Sequence, residues 1–156
     1  LYINDLSKAN DVLENKANIL LGFLTLIITS ITGYIVSEYK NLNITDLITQ
    51  ELIISSLFIS ASIFYVYKCI SLNNYKLLGT KPSFHIKHNY KENHNKLKVI
   101  YQDILHTNES IIDYNFKVHN EKVLHFKKAL NWLLFSIITS FCYALLYILS
   151  TSLYNC

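Results

Sequence analysis

The chain has no arginine and no methionine, one proline, three glycines and three cysteines in 156 residues. Charge is scarce as well, at 16% of residues against about 25% in soluble domains. All fourteen basic residues are lysine, and with Asn and Ile abundant this reflects an AT-rich coding bias more than a selected chemistry. Nucleic-acid binding needs clustered Arg and Lys interleaved with aromatics, a pattern not found here. Three glycines exclude a phosphate cradle of the P-loop kind. Cys69, Cys142 and Cys156 form neither a disulfide framework nor a metal pattern. No methionine opens the chain, so numbering that starts within a longer product is the expectation.

What is abundant is apolar length. Ala17–Ser37 holds twenty-one residues without a charge, eleven of them Leu, Ile, Phe or Val. That matches the ~20 apolar residues a helix needs to cross a hydrocarbon core of ~30 Å. Insertion gains at most about 3–7 kcal/mol from these side chains. The run is apolar on every face, unlike a soluble core helix. It is also too long for the h-region of a cleaved signal peptide, and no small-residue cleavage site follows it.

Two further runs repeat the theme. Leu52–Tyr67 is uncharged and continues through Cys69–Leu72, with Lys68 placed near an interface where its stem can snorkel. Ala129–Leu149 is the third, with Trp132 at its start and Tyr147 and Tyr154 at its end as interfacial aromatics. The expected fold is an all-α membrane protein with three transmembrane helices, at 17–37, 52–72 and 129–149. A helical segment, 73–128, separates the second span from the third. Residues 1–16 form an amphipathic helix with Ile3, Leu6, Ala9, Val12 and Leu13 on one face, and it runs into the first span without a Gly or Pro.

Residues 73–82 contain the only proline and form the break after the second span. Beyond it, Leu97, Ile104, Ile111 and Val118 recur every seven residues, a stripe compatible with one long helix or with a hairpin hinged near Thr107–Ser110. Segment 73–128 carries ten lysines against five acids, whereas the short loop expected at 38–51 carries one against three. The positive-inside rule therefore predicts a cytoplasmic 73–128, a cytoplasmic N-terminus and an external C-terminus.

Candidate site residues fall into two groups. Small or hydroxylated residues recur four apart in each span: Thr25, Thr29 and Gly33; Ser56 and Ser60; Ser136, Ser140 and Ala144. Such stripes let helix backbones approach closely in lipid, within a chain or between copies; the plain alternative is hydroxyls bonded to their own helix. The second group marks the entries to the first and third spans: Lys16 and Ala17, then Lys122, Lys127, Lys128 and Ala129. As simple anchors, lysines there are drawn to anionic lipid at about 1 kcal/mol each. His85, His88 and His94 lack a metal-ligand pattern, and no nucleophile–base pair or paired carboxylates occur. No catalytic residue, metal or cofactor is expected, and an intramembrane enzyme or transporter is disfavoured because the spans hold almost no ionisable group.

At its junctions the chain resembles the Pycsar-type transmembrane effectors of bacterial anti-phage defence (the PycTM-type domain). Their first helix ends in D-x-K-A; here Lys16-Ala17 fits, with Glu14 in place of Asp. Leu78–Pro82 with Phe84 is similar to the stretch after the second span, and Lys122, Lys127, Lys128 and Ala129 fit the K-x5-basic-A entry to the last. Two-span effector domains of nucleotide-synthase systems are a neighbouring possibility. The resemblance implies a dormant inner-membrane protein that impairs membrane integrity and arrests growth when its system senses a phage; the small-residue stripes add the expectation of a homo-oligomer. Its trigger would be a cyclic pyrimidine mononucleotide from a partner cyclase, with segment 73–128 the only part large enough to sense it. The bare residues equally allow a non-toxic membrane adaptor that recruits a soluble partner.

Overall fold

The computed structural model describes residues 2–38, 46–72 and 94–154, and each described segment is built on one helix. Helix α1 spans Tyr2–Glu38, α2 spans Leu47–Ser71 and α3 spans His94–Tyr154. No strand occurs among the described residues. All three helices are long and apolar enough to cross a membrane, so the chain is a multi-pass helical membrane protein. The stretch 73–82 with its proline, Phe84, and His85 and His88 lie outside the described residues.

The amphipathic lead and the first apolar run are one rod of 37 residues, about 55 Å at 1.5 Å per residue. α3 is longer still, 61 residues or about 90 Å, three times the hydrocarbon thickness. It passes through Thr107–Ser110 without a break, and the Ser110 hydroxyl bonds the Thr107 carbonyl at 2.8 Å. Of the two arrangements the heptad stripe allowed, residues 94–154 adopt the single helix. α2 begins at Leu47, ahead of the uncharged run that starts at residue 52. Glu51 therefore lies inside a helix rather than in a loop, and its carboxylate accepts from two hydroxyls there.

α2 runs antiparallel to α1 and α3 and packs on both, most extensively on α3, while α1 and α3 touch least. The contact faces repeat every seven residues. In α1 these are Asn10, Ala17 and Leu24; in α2 Ser55, Ser62 and Cys69, interleaved with Ile59 and Val66; in α3 Asn115, Lys122, Ala129 and Ser136. This spacing keeps one face on its neighbour over many turns. Ala9 and Val12 turn outward instead of lining the lead's inner face, which Asn10, Leu13 and Glu14 take.

Most buried positions are thus small or polar, with Leu24, Ile59, Val66 and Val118 the larger apolar ones, while Ile19, Leu26, Leu57 and Phe141 are at least 65% exposed. That is the reverse of a soluble bundle and the pattern expected where lipid covers the outside.

Candidate functional site: a buried ion pair and a polar seam

Two polar clusters sit in the seam, one at each end of the bundle. At the lysine-rich end, Lys122 of α3 donates to Glu14 Oε1 of α1. Lys122 is fully buried and Glu14 is 27% exposed. Removing an ammonium from water costs several kcal/mol unless a charge of opposite sign and further hydrogen bonds replace the solvent. Asn10 Nδ2 adds one at 3.0 Å to the same carboxylate oxygen. Asn10 Oδ1 is buried with no partner among the described residues. One heptad further along each helix, Ala17 and Ala129 are fully buried. Ser62 of α2 donates to the Ala129 carbonyl at 2.8 Å, tying α2 to α3.

Histidines flank the pair. Burial, reinforced by the Lys122 charge, pushes the His119 imidazole below its ordinary range. His125 is lowered by burial first and by Lys68 and Lys128 next, against a raising contribution from Glu121. Its ring stacks on Tyr65 at 6.1 Å, and the Lys128 ammonium lies 5.6 Å from the same tyrosine's centroid. Lys68 lies over Phe64 at 4.9 Å, so two of the cations at this end, Lys68 and Lys128, lie against aromatic rings.

The two junction motifs, more than a hundred residues apart in sequence, meet here. Lys122, Ala17 and Ala129 point into the bundle; Lys16, Lys127 and Lys128 are exposed, as anchors are. Glu14, met in the sequence only as a departure from Asp, is the partner that Lys122 requires.

The four-residue stripes fare differently within the chain. Ser136 is buried, and Ser140 joins the seam's other cluster. Thr25, Thr29 and Gly33 face outward, the hydroxyls bonded to the carbonyls of Gly22 and Thr25 at 2.8 and 2.7 Å. Ser56 and Ser60 likewise bond the Ile53 and Ser56 carbonyls, each at 2.8 Å. These five do not join helices of one chain: the four hydroxyls are satisfied by their own backbone, and Gly33 is exposed. The hydroxyls that do, Ser55 and Ser62, recur at seven, a signal visible in the sequence once Cys69 is counted with them.

At the opposite, acidic end, Glu51 Oε1 accepts from Ser55 at 2.8 Å and from Ser140 at 2.5 Å, and the two hydroxyls lie 3.0 Å apart. A cavity of about 210 Å³ opens beside them between α2 and α3. Phe58 stacks on Trp132 at 5.7 Å in the same seam. Among the described residues no group of His, Cys, Asp and Glu is arranged to hold a metal. No family model matches the chain, and no curated protein or solved structure matches it.

Proposed function

We propose that this chain is a gated membrane effector of anti-phage defence, held dormant in the bacterial inner membrane and impairing membrane integrity when triggered. The observation that carries this reading is the Glu14–Lys122 pair. It joins α1 to α3 just before both helices enter their apolar runs, so in this reading a force on the polar half of α3 is passed to the membrane helices. It also unites the two sequence motifs on which the resemblance to the Pycsar-type effectors rests. In this reading the lysine-rich end is cytoplasmic, following the positive-inside rule, and the C-terminus is external. Copies assemble through the outward small-residue face of α1. The trigger, by resemblance a cyclic nucleotide from a partner cyclase, must bind the open arrangement more tightly than the closed one.

Membrane potential and dye entry in cells expressing the chain, with and without its neighbouring genes, test this. Depolarisation that needs a phage or a neighbouring cyclase is the expected result. Intact membranes under every condition, at confirmed expression, would refute it. That outcome would favour the second reading, a membrane adaptor. Leu105 and Phe116, 68% and 46% exposed on the polar half of α3, offer such a partner apolar contacts, and co-purification of a stoichiometric soluble protein with the full chain would identify it.

A further inference from the structure

The cavity at the acidic end of the α2–α3 seam holds a carboxylate, Glu51, that no cation among the described residues pairs with. Both hydroxyls that reach Glu51 bond Oε1. Oε2 has no partner among the described residues, and Glu51 lines the cavity together with Leu47, Ile48, Ser140, Tyr143 and Tyr147. The lysines of the described helices lie toward the other end. Lys68 is seventeen residues along α2, about 25 Å away, and Lys128 is twelve residues before Ser140 on α3, about 18 Å. Glu51 immediately precedes the uncharged run of α2, which puts its carboxylate at the boundary between hydrocarbon and headgroups. A carboxylate in that low-dielectric rim is costly unless a cation and hydrogen-bond donors reach it.

We infer that this cavity binds a primary ammonium group, supplied by the ethanolamine headgroup of a phosphatidylethanolamine molecule seated between α2 and α3. Four features select that chemistry. The free carboxylate oxygen calls for N–H donors with positive charge, and such charge-assisted bonds are roughly twice as strong as neutral ones. Tyr143 and Tyr147 line the same space, and tyrosine faces attract cations. The volume, about 210 Å³, holds about seven waters at ~30 Å³ each, and is below the ~300–1,000 Å³ of pockets for drug-sized ligands. One carboxylate falls short of the six to eight oxygens that calcium takes. Choline fits the charge but has no N–H to give. The ammonium would donate to Oε2, while Leu47 and Ile48 meet the apolar part of the lipid. The site is independent of the effector reading and would stand if that reading failed.

The test uses the full chain in nanodiscs with a fixed share of phosphatidylglycerol. The remaining lipid is phosphatidylethanolamine, its N-methyl or N,N-dimethyl derivative, or phosphatidylcholine. Lipid retained on the protein is read by native mass spectrometry, and thermal unfolding is followed in parallel. Retention of phosphatidylethanolamine over phosphatidylcholine is expected to be about tenfold, the worth of one charge-assisted hydrogen bond, falling with each methyl group added. In Glu51→Gln the preference should vanish; should that variant not fold, the methylation series on the wild-type chain decides alone. Equal retention across the series, or an undiminished preference in Glu51→Gln, overturns the proposal. So does stabilisation by free millimolar ethanolamine without any preference for the lipid, since the site would then take a soluble amine.

Discussion

Lys122 shows how one residue can be misjudged by its type. Lysines at the entry to a span are expected to snorkel toward water, and Lys16, Lys127 and Lys128 do so. Lys122 is fully buried instead, because the seven-residue repeat of α3 turns it onto Glu14. Replacing it with Met leaves the Glu14 carboxylate without its cation, held only by the Asn10 amide. Lys122→Met should cost about 3 kcal/mol, the low end for a broken buried pair because Glu14 is partly exposed. Adding Glu14→Leu should recover part of that loss, since an apolar pair of similar volume has no charge to desolvate, while the buried Asn10 amide then loses its acceptor. Reversible unfolding in detergent measures both, and Lys127→Met, at an exposed site, should stay within about 0.5 kcal/mol.

At the scale of the element, α3 is the unusual part. Its polar half reads as a stripe of Leu97, Ile104, Ile111 and Val118 in sequence, and that stripe does not distinguish a rod from a hairpin. The chain adopts the rod, with no Gly or Pro from His94 to Tyr154 to relieve a turn. Spin labels at Lys98 and Lys128, with the native cysteines replaced, should therefore lie about 45 Å apart. A fold near Thr107–Ser110 would bring them within about 25 Å, a difference that pulsed electron paramagnetic resonance resolves. In the proposed gating, a ligand or partner at the far end of this rod would act on the Glu14–Lys122 contact without an intervening joint.

Across the whole molecule, the distribution of side chains is inverted, with serines and alanines inside and leucines and phenylalanines outside. Thr25, Thr29 and Gly33 form an outward small-residue face on α1, and a Cβ added at Gly33 meets nothing within 4 Å. Gly33→Leu should then leave the unfolding of a single chain unchanged while weakening association between copies. Energy transfer between differently labelled copies in liposomes reads that association. Undiminished transfer would remove this face of α1 from the oligomer contact.

The number of spans, their order and the placement of three apolar runs were determined by sequence alone. Hydrophobic length is a property of consecutive residues, and a bilayer of ~30 Å reads it without reference to any neighbour. Which face of each helix turns inward was decided only by the tertiary structure. Lipid is as apolar as Leu, so no hydrophobic gain orients a helix about its own axis; close backbone approach and interhelical hydrogen bonds do. That is why Ser55 and Ser62 are in the seam while Ser56 and Ser60 bond their own backbone. It is also why Glu51 lies within α2 against Ser140 rather than in a loop, and why Glu14 and Lys122, ordinary charges in the sequence, become a buried pair once α1 and α3 are laid side by side.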